Sequence, residues 1–375
     1  MAAVVALAAF AVLAPTAVAT TSASAGRASE MLELLGRLRE QYSAPGAGIT
    51  FGDGHHDTTL SSGTRDVLAR HPIASSDELR VGSDTKMFVA SVVLQLVAEG
   101  RLDLDATIDR YLPGVVRYPA DKVPGDPAAY DGRAVTVRQL LQHTAGVGDY
   151  GADYAYLLNP MHQLAPPTPQ DLVAYGLSKG PTHRPGASWS YSNTHYVLLG
   201  MAVQATTGRP IGSEIAERIV EPLGLANTFF AERGQRSLPG EHVKGYISSA
   251  APIEVTGFEP AVWGAAGALV SSPDDMNEFT SALLAGAVVP AAQLAEMQDT
   301  VPYLDGGYGL GLVSVPLSCG LAWGHGGFLA GYQTLGLALP NGRHAFLTFN
   351  STFAVHLLPP SNPASAYTLF ELALC

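Results

Sequence analysis

The chain has 375 residues and a net charge of −12, from 21 Lys and Arg against 33 Asp and Glu. Hydrophobic residues make up 47% of it and charged residues 14%, while the 40 Gly and 26 Pro fall below the share typical of low-complexity sequence. This length and composition predict a globular, loop-rich protein of two or three structural units, and the acidic balance argues against a nucleic-acid partner.

The first segment, Ala2 to Ala19, is apolar and rich in alanine, which predicts a signal peptide over residues 1–25. Ala-x-Ala cleavage sites end at Ala19 and at Ala25, although no Lys or Arg precedes Arg27. The alternative is a membrane anchor, which requires about 20 strongly apolar residues, more than this stretch offers. We therefore expect a secreted or extracytoplasmic protein.

Helical and strand patterns follow one another in the next eighty residues. Apolar residues at helical spacing predict a helix over residues 28–42, and Gly46 to Gly52 predicts a short strand. A period of 3.6 that starts at Ser83 predicts a long buried helix, with Gly100 placed as its C-cap glycine. Short helices and loops then alternate over residues 106–244.

The last third of the chain is richer in strands. A helix is predicted to start at Ser271 to Asp275, and a final helix covers residues 364–374. Strand-like runs lie between them, at Tyr308–Val315, Leu321–Gly324, Tyr332–Leu339 and His344–Asn350. Asn341-Gly342, between the last two runs, predicts a hairpin. The order of elements predicts an α/β (α+β) layer domain of residues 26–105 and 245–375, into which a helical domain of residues 106–244 is inserted.

The most informative local pattern is Ser83-Asp84-Thr85-Lys86, at the start of the buried helix. Residues three apart share a helix face, so the Lys86 amine can lie beside the Ser83 hydroxyl and lower the cost of forming the alkoxide. Ser-x-x-Lys alone is also compatible with a helix cap and a solvated lysine. Of the four lysines, however, only Lys86 has a serine three residues before it.

Two further segments carry candidate site residues. Tyr191-Ser192-Asn193 precedes an apolar helix, and a tyrosine near cations can have a lowered pKa and act as a base, while the amide of Asn193 can orient Lys86 and substrate. His325-Gly326-Gly327 has strand character, and its glycines allow a substrate backbone to approach closely. Taken singly, Tyr191 and His325 could equally be structural residues.

Together and in this order, the three segments resemble the signature of the penicillin-recognising serine hydrolases: Ser-x-x-Lys, Tyr-x-Asn and a basic residue before glycine. The resemblance is to the class C β-lactamase-like branch and covers nearly all of residues 30–375. It is strengthened by Leu140–Gly146 and Pro222–Gly224. Three further segments look especially like those of secreted D-alanyl-D-alanine carboxypeptidases: Tyr308–Leu312, Leu317–Gly320 and Cys375. This resemblance implies an antiparallel sheet flanked by helices.

The resemblance also implies roles for the residues. Ser83 would attack a carbonyl to form an acyl-enzyme, with Lys86 and Tyr191 sharing the proton transfers. Asn193, His325, Gly326 and Gly327 would bind substrate, and the backbone amides of Ser83 and Phe328 would form the oxyanion hole. His325 stands where many relatives have lysine, so it could hydrogen-bond near Tyr191 without carrying a charge at neutral pH.

Two departures from the carboxypeptidase pattern concern the substrate's terminal carboxylate. The carboxypeptidases have an arginine just after the segment that matches Tyr308–Leu312, where this chain has Val313-Ser314. They commonly read His-Thr-Gly-Thr where this chain reads His325-Gly326-Gly327-Phe328, so two hydroxyl contacts are missing. An arginine from elsewhere in the fold could replace them. Without one, we expect an ester to be turned over at least about tenfold better than a D-Ala-D-Ala peptide.

The chain has two cysteines, Cys319 and Cys375. If the protein is exported to an oxidising compartment, the two can form one disulfide, and otherwise they are two buried thiols. In the carboxypeptidases that the chain resembles, the corresponding pair forms a disulfide. The chain has neither Cys-x-x-Cys nor His-Glu-x-x-His, so the sequence implies no metal, and no other cofactor is expected.

The sequence therefore predicts an exported serine hydrolase, D-alanyl-D-alanine carboxypeptidase-like, with an esterase, a D-aminopeptidase or a weak β-lactamase as close alternatives. The partners would be a peptide or ester substrate, peptidoglycan stem peptides among them, and β-lactams as inhibitors, and we expect a monomer. A non-catalytic penicillin-binding module is a competing interpretation. The presence of all four candidate site residues argues against it: Ser83, Lys86, Tyr191 and Asn193. A conventional α/β-hydrolase is disfavoured because the chain has no Gly-x-Ser-x-Gly.

Overall fold

The computed structural model describes residues 17–118, 130–247, 251–352 and 365–375. Residues 1–16 of the predicted signal segment therefore lie outside the described residues. Among the described residues, no helix is both long and apolar enough to cross a membrane.

The described residues form eleven α-helices and thirteen β-strands. The helices are α1 (Ala17–Gln41), α2 (Thr85–Ala98), α3 (Val137–Leu141), α4 (Tyr154–Leu157), α5 (Pro169–Ser178), α6 (Asn193–Thr207), α7 (Ile211–Ile215), α8 (Glu221–Leu223), α9 (Pro273–Leu284), α10 (Ala291–Met297) and α11 (Ala366–Leu374). The strands are β1 (Gly46–Gly52), β2 (Asp57–Gly63), β3 (Leu79–Arg80), β4 (Phe229–Phe230), β5 (Tyr246–Ile247), β6 (Ile253–Glu254), β7 (Leu269–Ser271), β8 (Val301–Tyr303), β9 (Gly306–Tyr308), β10 (Val313–Leu317), β11 (Gly320–Leu329), β12 (Tyr332–Ala338) and β13 (His344–Phe349).

The main sheet has eight antiparallel strands in the order β2-β1-β13-β12-β11-β10-β9-β8. This confirms the antiparallel sheet flanked by helices that the sequence predicted. The sheet joins the early hairpin of β1 and β2 to the last strands, because β1 pairs with β13 from Ala47 opposite Phe349 to Gly52 opposite His344. Helices α1 and α11 cover one face of the sheet, and α9 packs against the other.

Most predicted elements are present, with shifted ends. The first helix begins at Ala17 and not near residue 28, and the run predicted over Tyr308–Val315 is two strands separated by a turn that contains Gly311, at φ +76°. Helix α2 ends at Ala98, and Gly100 has a φ of +70° just beyond it, as a C-cap glycine does.

Helix α2 is the central buried element. Its side chains are apolar nearly all round, and Phe88 stacks on Phe279 of α9 with ring centroids 3.7 Å apart. Burying a side chain of this size contributes about 1.5–3 kcal/mol, so packing holds this helix in place. Helix α2 also contacts α6, which brings the first turns of the two helices together.

The sheet strands come from residues 46–63 and 301–349, and helices α3 to α8 come from residues 137–223. The division into a sheet domain of residues 26–105 and 245–375 and a helical domain of residues 106–244 stays a prediction.

Candidate active site

The site is built around a single turn of 3₁₀ helix, Gly82–Asp84, that leads into α2. Gly82 has a φ of +58°, and a Cβ there would lie 2.9 Å from the backbone nitrogen of Phe328. Only glycine suits both the backbone conformation and this close approach. The turn therefore presses Ser83 against strand β11.

Ser83 Oγ lies between the two side chains that the sequence placed beside it. Lys86 Nζ is 2.9 Å from Ser83 Oγ, and Tyr191 Oη is 2.9 Å from the same atom. Tyr191 lies just before α6, so the contact between α2 and α6 produces this arrangement. The structure thus brings together the three residues predicted to be catalytic.

Lys86 is fully buried and makes two further contacts, at 2.9 Å to Asn193 Oδ1 and at 2.8 Å to the carbonyl oxygen of Ala266. Burial lowers the pKa of Lys86 to about 7, although the carboxyl groups of Asp149 and Asp84 oppose the change. Both of these further partners are oxygen acceptors. A neutral amine can therefore donate its two protons to them and direct its lone pair at the Ser83 hydroxyl.

Tyr191 does not have the lowered pKa that the sequence suggested. Burial raises the pKa of Tyr191 well above its usual value, and the hydrogen bond to Ser83 only partly opposes this. The prediction was wrong because it considered nearby cations without the loss of solvent around the phenol. Tyr191 is a protonated donor to Ser83 Oγ at neutral pH.

Asn193 is held by a residue that the sequence analysis missed. The backbone N–H of Asn193 donates to Asp149 Oδ1 at 2.8 Å, and its side-chain Nδ2 donates to Asp149 Oδ2 at 3.3 Å. These contacts leave Asn193 Oδ1 directed at Lys86. Asp149 also accepts from the backbone N–H of Gly151, and burial raises the pKa of its carboxyl. Its place just after the predicted Leu140–Gly146 segment was the available signal, but no motif singled it out.

His325 is in the site and hydrogen-bonds Tyr308, which lies beside Tyr191. Its Nδ1 lies 2.7 Å from the carbonyl oxygen of Gly326, so Nδ1 carries the proton, and Nε2 accepts from Tyr308 Oη at 3.0 Å. Burial lowers the pKa of His325 to about 3, so the ring is neutral at neutral pH. The expectation of a partner near Tyr191 is confirmed, because the ring centre of Tyr308, at the end of β9, lies 6.4 Å from that of Tyr191.

Gly326, Gly327 and Phe328 line the site along β11. A Cβ on Gly327 would lie 1.8 Å from the carbonyl oxygen of Val81, whereas one on Gly326 would come no closer than 3.2 Å to any atom. Gly327 therefore permits the contact between β11 and the Ser83 turn. This contact brings the backbone of Phe328 next to Gly82, on the same side as Ser83.

Asp84 anchors the other side of the turn and was not singled out in the sequence. It is fully buried, and its Oδ2 accepts from Thr334 Oγ1 of β12 at 2.6 Å. Burial raises the pKa of Asp84 well above its usual value. Thr334 Oγ1 also lies 3.1 Å from the carbonyl oxygen of Val81, so the two acceptors share its one proton and Thr334 contacts the turn at two points.

Ser83 opens into a cavity of about 500 Å³. Aromatic side chains form much of its wall: Tyr154, Tyr191, Trp263, Tyr303, Tyr308 and Phe328. Among the described residues that line it there is no Lys or Arg, Asp149 is the one carboxylate, and Val313 forms part of the wall. No group of three or more His, Cys, Asp or Glu in the described part of the chain is arranged to hold a metal ion.

Away from the cavity, the structure bonds Cys319, beside β11, to Cys375, which follows α11. The two cysteines are separated by 56 positions in the chain. The bond joins the residue that follows α11 to the turn between β10 and β11. It plays no part in the geometry around Ser83.

Among curated proteins, the chain is 32% identical over 180 residues to one from Escherichia coli (strain K12) named "Putative D-alanyl-D-alanine carboxypeptidase". That alignment covers 44% of this chain and 37% of the relative, so the match spans well under half of the relative's length. A Salmonella typhimurium relative of the same name is 28% identical over 172 residues, with the same coverage of 44% and 37%.

Among solved structures, a D-stereospecific amidohydrolase from Streptomyces sp. is 36% identical, with a TM-score of 0.79 over 92% of this chain and 98% of that one. D-amino acid amidase from Ochrobactrum anthropi SV3, complexed with L-phenylalanine amide, has the same fold, with a TM-score of 0.75 at 24% identity over 92% of this chain and 96% of that one. The family model described as Beta-lactamase matches residues 32–356. The chain belongs to the Beta-lactamase family and is a hydrolase of the β-lactamase fold.

Proposed function

We propose that the protein is a serine amidohydrolase that forms an acyl-enzyme on Ser83 and acts on amides or esters of D-amino acids with a neutral leaving group. The observation that carries this proposal is the lining of the cavity, which contains Asp149 but no Lys or Arg among the described residues. A free carboxylate on the leaving group would have no cationic partner there, and burying it unpaired is costly.

In the first step, neutral Lys86 takes the proton of Ser83 as Oγ attacks the substrate carbonyl. The backbone N–H groups of Ser83 and Phe328 receive the developing oxyanion, where one such donor contributes about 100-fold or more. The carbon–nitrogen bond then breaks as Tyr191 gives its proton to the leaving amine. Tyr191 regains a proton from Lys86, whose amine lies 4.8 Å from the centre of its ring.

The second step releases the acyl group to water. Lys86, again neutral, removes a proton from the water as its oxygen attacks the acyl carbon, and it returns this proton to Ser83 Oγ as that oxygen leaves. The sum of the two steps converts an amide and one water into a carboxylic acid and an amine. Asn193 is proposed to hold the Lys86 amine in position. Asn193 is also proposed to contact the acyl part of the substrate, together with His325, Gly326 and Gly327.

The preference for a D-amino acid is supported by the name of the 36%-identical amidohydrolase, with which nearly the whole chain aligns. The aromatic wall of the cavity suits an aromatic or large apolar acyl side chain. We further propose that the protein is exported, as its apolar first segment suggests.

A D-alanyl-D-alanine carboxypeptidase is the second candidate, because the curated relatives carry that name. It requires the protein to hold a free carboxylate with the neutral groups that line the cavity, and His325 offers no charge at neutral pH. Among the described residues, no arginine from another part of the fold supplies the missing cation.

A substrate panel separates the two candidates. We expect kcat/KM for D-phenylalanine amide to exceed that for its L-enantiomer and, by at least about tenfold, that for an acylated D-Ala-D-Ala peptide. Better turnover of the free-carboxylate peptide than of the amide would contradict the proposal and favour the carboxypeptidase. Ser83→Ala serves as the inactive control.

A gain-of-function variant sharpens the comparison. Val313→Arg places a cation at the position of the missing arginine and should raise turnover of the D-Ala-D-Ala peptide relative to the amide. Val313→Gln has a similar length without the charge and should leave this ratio unchanged. An equal effect of both substitutions would show that charge does not set the preference.

A further inference from the structure

His143 and His195 form a buried pair behind the site, and the proposed reaction uses neither. Both side chains are inaccessible to solvent, and their Nδ1 atoms are 3.0 Å apart. His143 lies in the Leu140–Gly146 segment and has a φ of +61°, which is uncommon for a residue other than glycine. Neither side chain lines the cavity.

The backbone donors around the pair define one arrangement of protons. Val147 N–H donates to His195 Nε2 at 3.3 Å, which leaves the His195 proton on Nδ1. Ser192 N–H donates to His143 Nδ1 at 3.3 Å, so this atom is an acceptor, and His195 Nδ1–H also points to it. We assign His143 its proton on Nε2. Burial lowers the pKa of both rings, that of His195 to about 3, so both are neutral at neutral pH.

His143 holds the chain on both sides of Tyr191. Its carbonyl oxygen accepts from Ser190 N–H at 2.9 Å, and its Nδ1 accepts from Ser192 N–H. The centre of its ring lies 4.3 Å from the centre of the Tyr191 ring. Two hydrogen bonds and a ring contact therefore fix the residue whose hydroxyl reaches Ser83.

A purely space-filling role does not account for this imidazole. His143 Nε2 has no hydrogen-bond partner among the described residues, and a buried N–H without a partner destabilises the folded state. An apolar ring of similar shape would avoid that cost. What the imidazole adds is the acceptor at Nδ1, directed at the backbone of Ser192.

We propose that His143 is a positioning residue that keeps the Tyr191 hydroxyl in line to protonate the leaving group. This proposal rests on the proposed function, in which Tyr191 is the proton donor. A displacement of about 1 Å in a reacting group can lower the rate about 100-fold. The effect should appear only where the leaving group needs a proton, because p-nitrophenolate leaves without one while an amine does not.

The test compares two amide side chains at position 143, on two substrates. His143→Asn places its carbonyl oxygen near the position of Nδ1, whereas His143→Gln moves it about one atom further out, toward Nε2. We expect His143→Gln to lower kcat for D-phenylalanine amide about 100-fold and kcat for the p-nitrophenyl ester less than about threefold. His143→Asn should retain the amide activity to within about fivefold of the wild-type protein.

A third variant links the effect to Tyr191. Tyr191→Phe should show the same selective loss on the amide, and adding His143→Gln to it should cause no further amide-selective loss. Equal losses on both substrates, or additive losses in the double variant, would overturn the positioning role while leaving the proposed function in place. A wild-type protein that turns over neither substrate would instead contradict the proposed function.

If His143→Gln does not fold, His195 provides the same comparison. His195→Leu removes the donor to His143 Nδ1, and His195→Asn keeps one in a similar place. We expect a selective loss on the amide for His195→Leu and recovery in His195→Asn. Equal activity of these two variants on the amide would overturn the proposal.

Discussion

Ser83 lies between two groups whose burial has opposite effects on their readiness to give up a proton. Loss of solvent lowers the pKa of Lys86 to about 7 and raises that of Tyr191 well above its usual value. At neutral pH one neighbour of Ser83 can therefore accept a proton while the other still carries one. This division of roles is what a nucleophile and a poor leaving group require from their surroundings.

The pH dependence of the reaction follows from this pair. Because Lys86 must be neutral to accept the Ser83 proton, kcat/KM should rise with pH through about 7 and then stay level while Tyr191 keeps its proton. Lys86→Arg, which stays charged, should lower kcat/KM by about 100-fold or more and remove this rise. The control is Lys179→Arg, at an ion pair with Asp153 away from Ser83. A flat wild-type profile from pH 6 to 9 would contradict the role given to Lys86.

Neighbouring glycines of β11 offer a matched pair of substitutions. Gly327→Ala would place a Cβ 1.8 Å from the carbonyl oxygen of Val81 and force β11 away from the Ser83 turn, so we expect kcat to fall by about 100-fold or more. Gly326→Ala meets its nearest atom at 3.2 Å and should retain most of the activity. Melting temperature and kcat, measured for both variants, test this. Similar effects of the two would show that the close approach at Gly327 does not matter.

At the scale of single elements, local sequence was a good guide where the pattern was strong. The bounds of β1 agree with the prediction, and the Asn341-Gly342 hairpin joins β12 to β13 as expected. Strand β2 was missed because it is a polar edge strand, half exposed, and lacks the apolar alternation that marks a strand. The pairing of β1 with β13 could not be read from the sequence, since no local signal reports a partner 300 residues away.

The disulfide is the testable link between α11 and the sheet. In the chain-entropy model, closing a loop of 56 residues contributes on the order of 4 kcal/mol, although engineered bonds often give less. Cys319→Ser/Cys375→Ser should therefore melt at a lower temperature and keep its kcat, because the bond lies away from Ser83. Thiol titration of the protein, prepared through an oxidising compartment, should find no free thiol. Two free thiols, or an unchanged melting temperature, would contradict this prediction.

At the scale of the whole molecule, the three sequence segments indicated which residues meet, and the fold determines what their chemistry is. Ser83, Lys86 and Tyr191 were predicted together, but the burial that sets their pKa values depends on α2, α6 and β11 all packing around them. Asp149 and Tyr308 entered the site only through that packing. No spacing in the sequence links either residue to Asn193 or His325.

Buried neutral histidines should also make the fold sensitive to acid. Burial lowers the pKa of His195 and His325 to about 3 and that of His143 well below its usual value. Below pH 6.5 the unfolded chain binds protons that the folded chain does not, so the free energy of unfolding should fall as the pH drops from about 6.5 toward 3. Each such histidine contributes about 1.4 kcal/mol per pH unit.

Chemical denaturation at a series of pH values measures this slope. His195→Asn should reduce the slope, and His71→Asn, at an exposed position, should not change it. Equal slopes for the wild-type protein and His195→Asn would show that His195 does not remain neutral in the folded state. The comparison of slopes is independent of any effect that either substitution has on activity.

Catalysis is proposed to pass through an ester on Ser83, and intact-protein and peptide mass spectrometry test this intermediate directly. Protein quenched in acid during turnover of the p-nitrophenyl ester of an acylated D-phenylalanine should carry one acyl group, on the peptide that contains Ser83. Ser83→Ala should carry none, and Tyr191→Phe should still carry it, since this leaving group needs no proton. An acyl group on another residue, or a labelled Ser83→Ala protein, would contradict the role of Ser83 as the nucleophile.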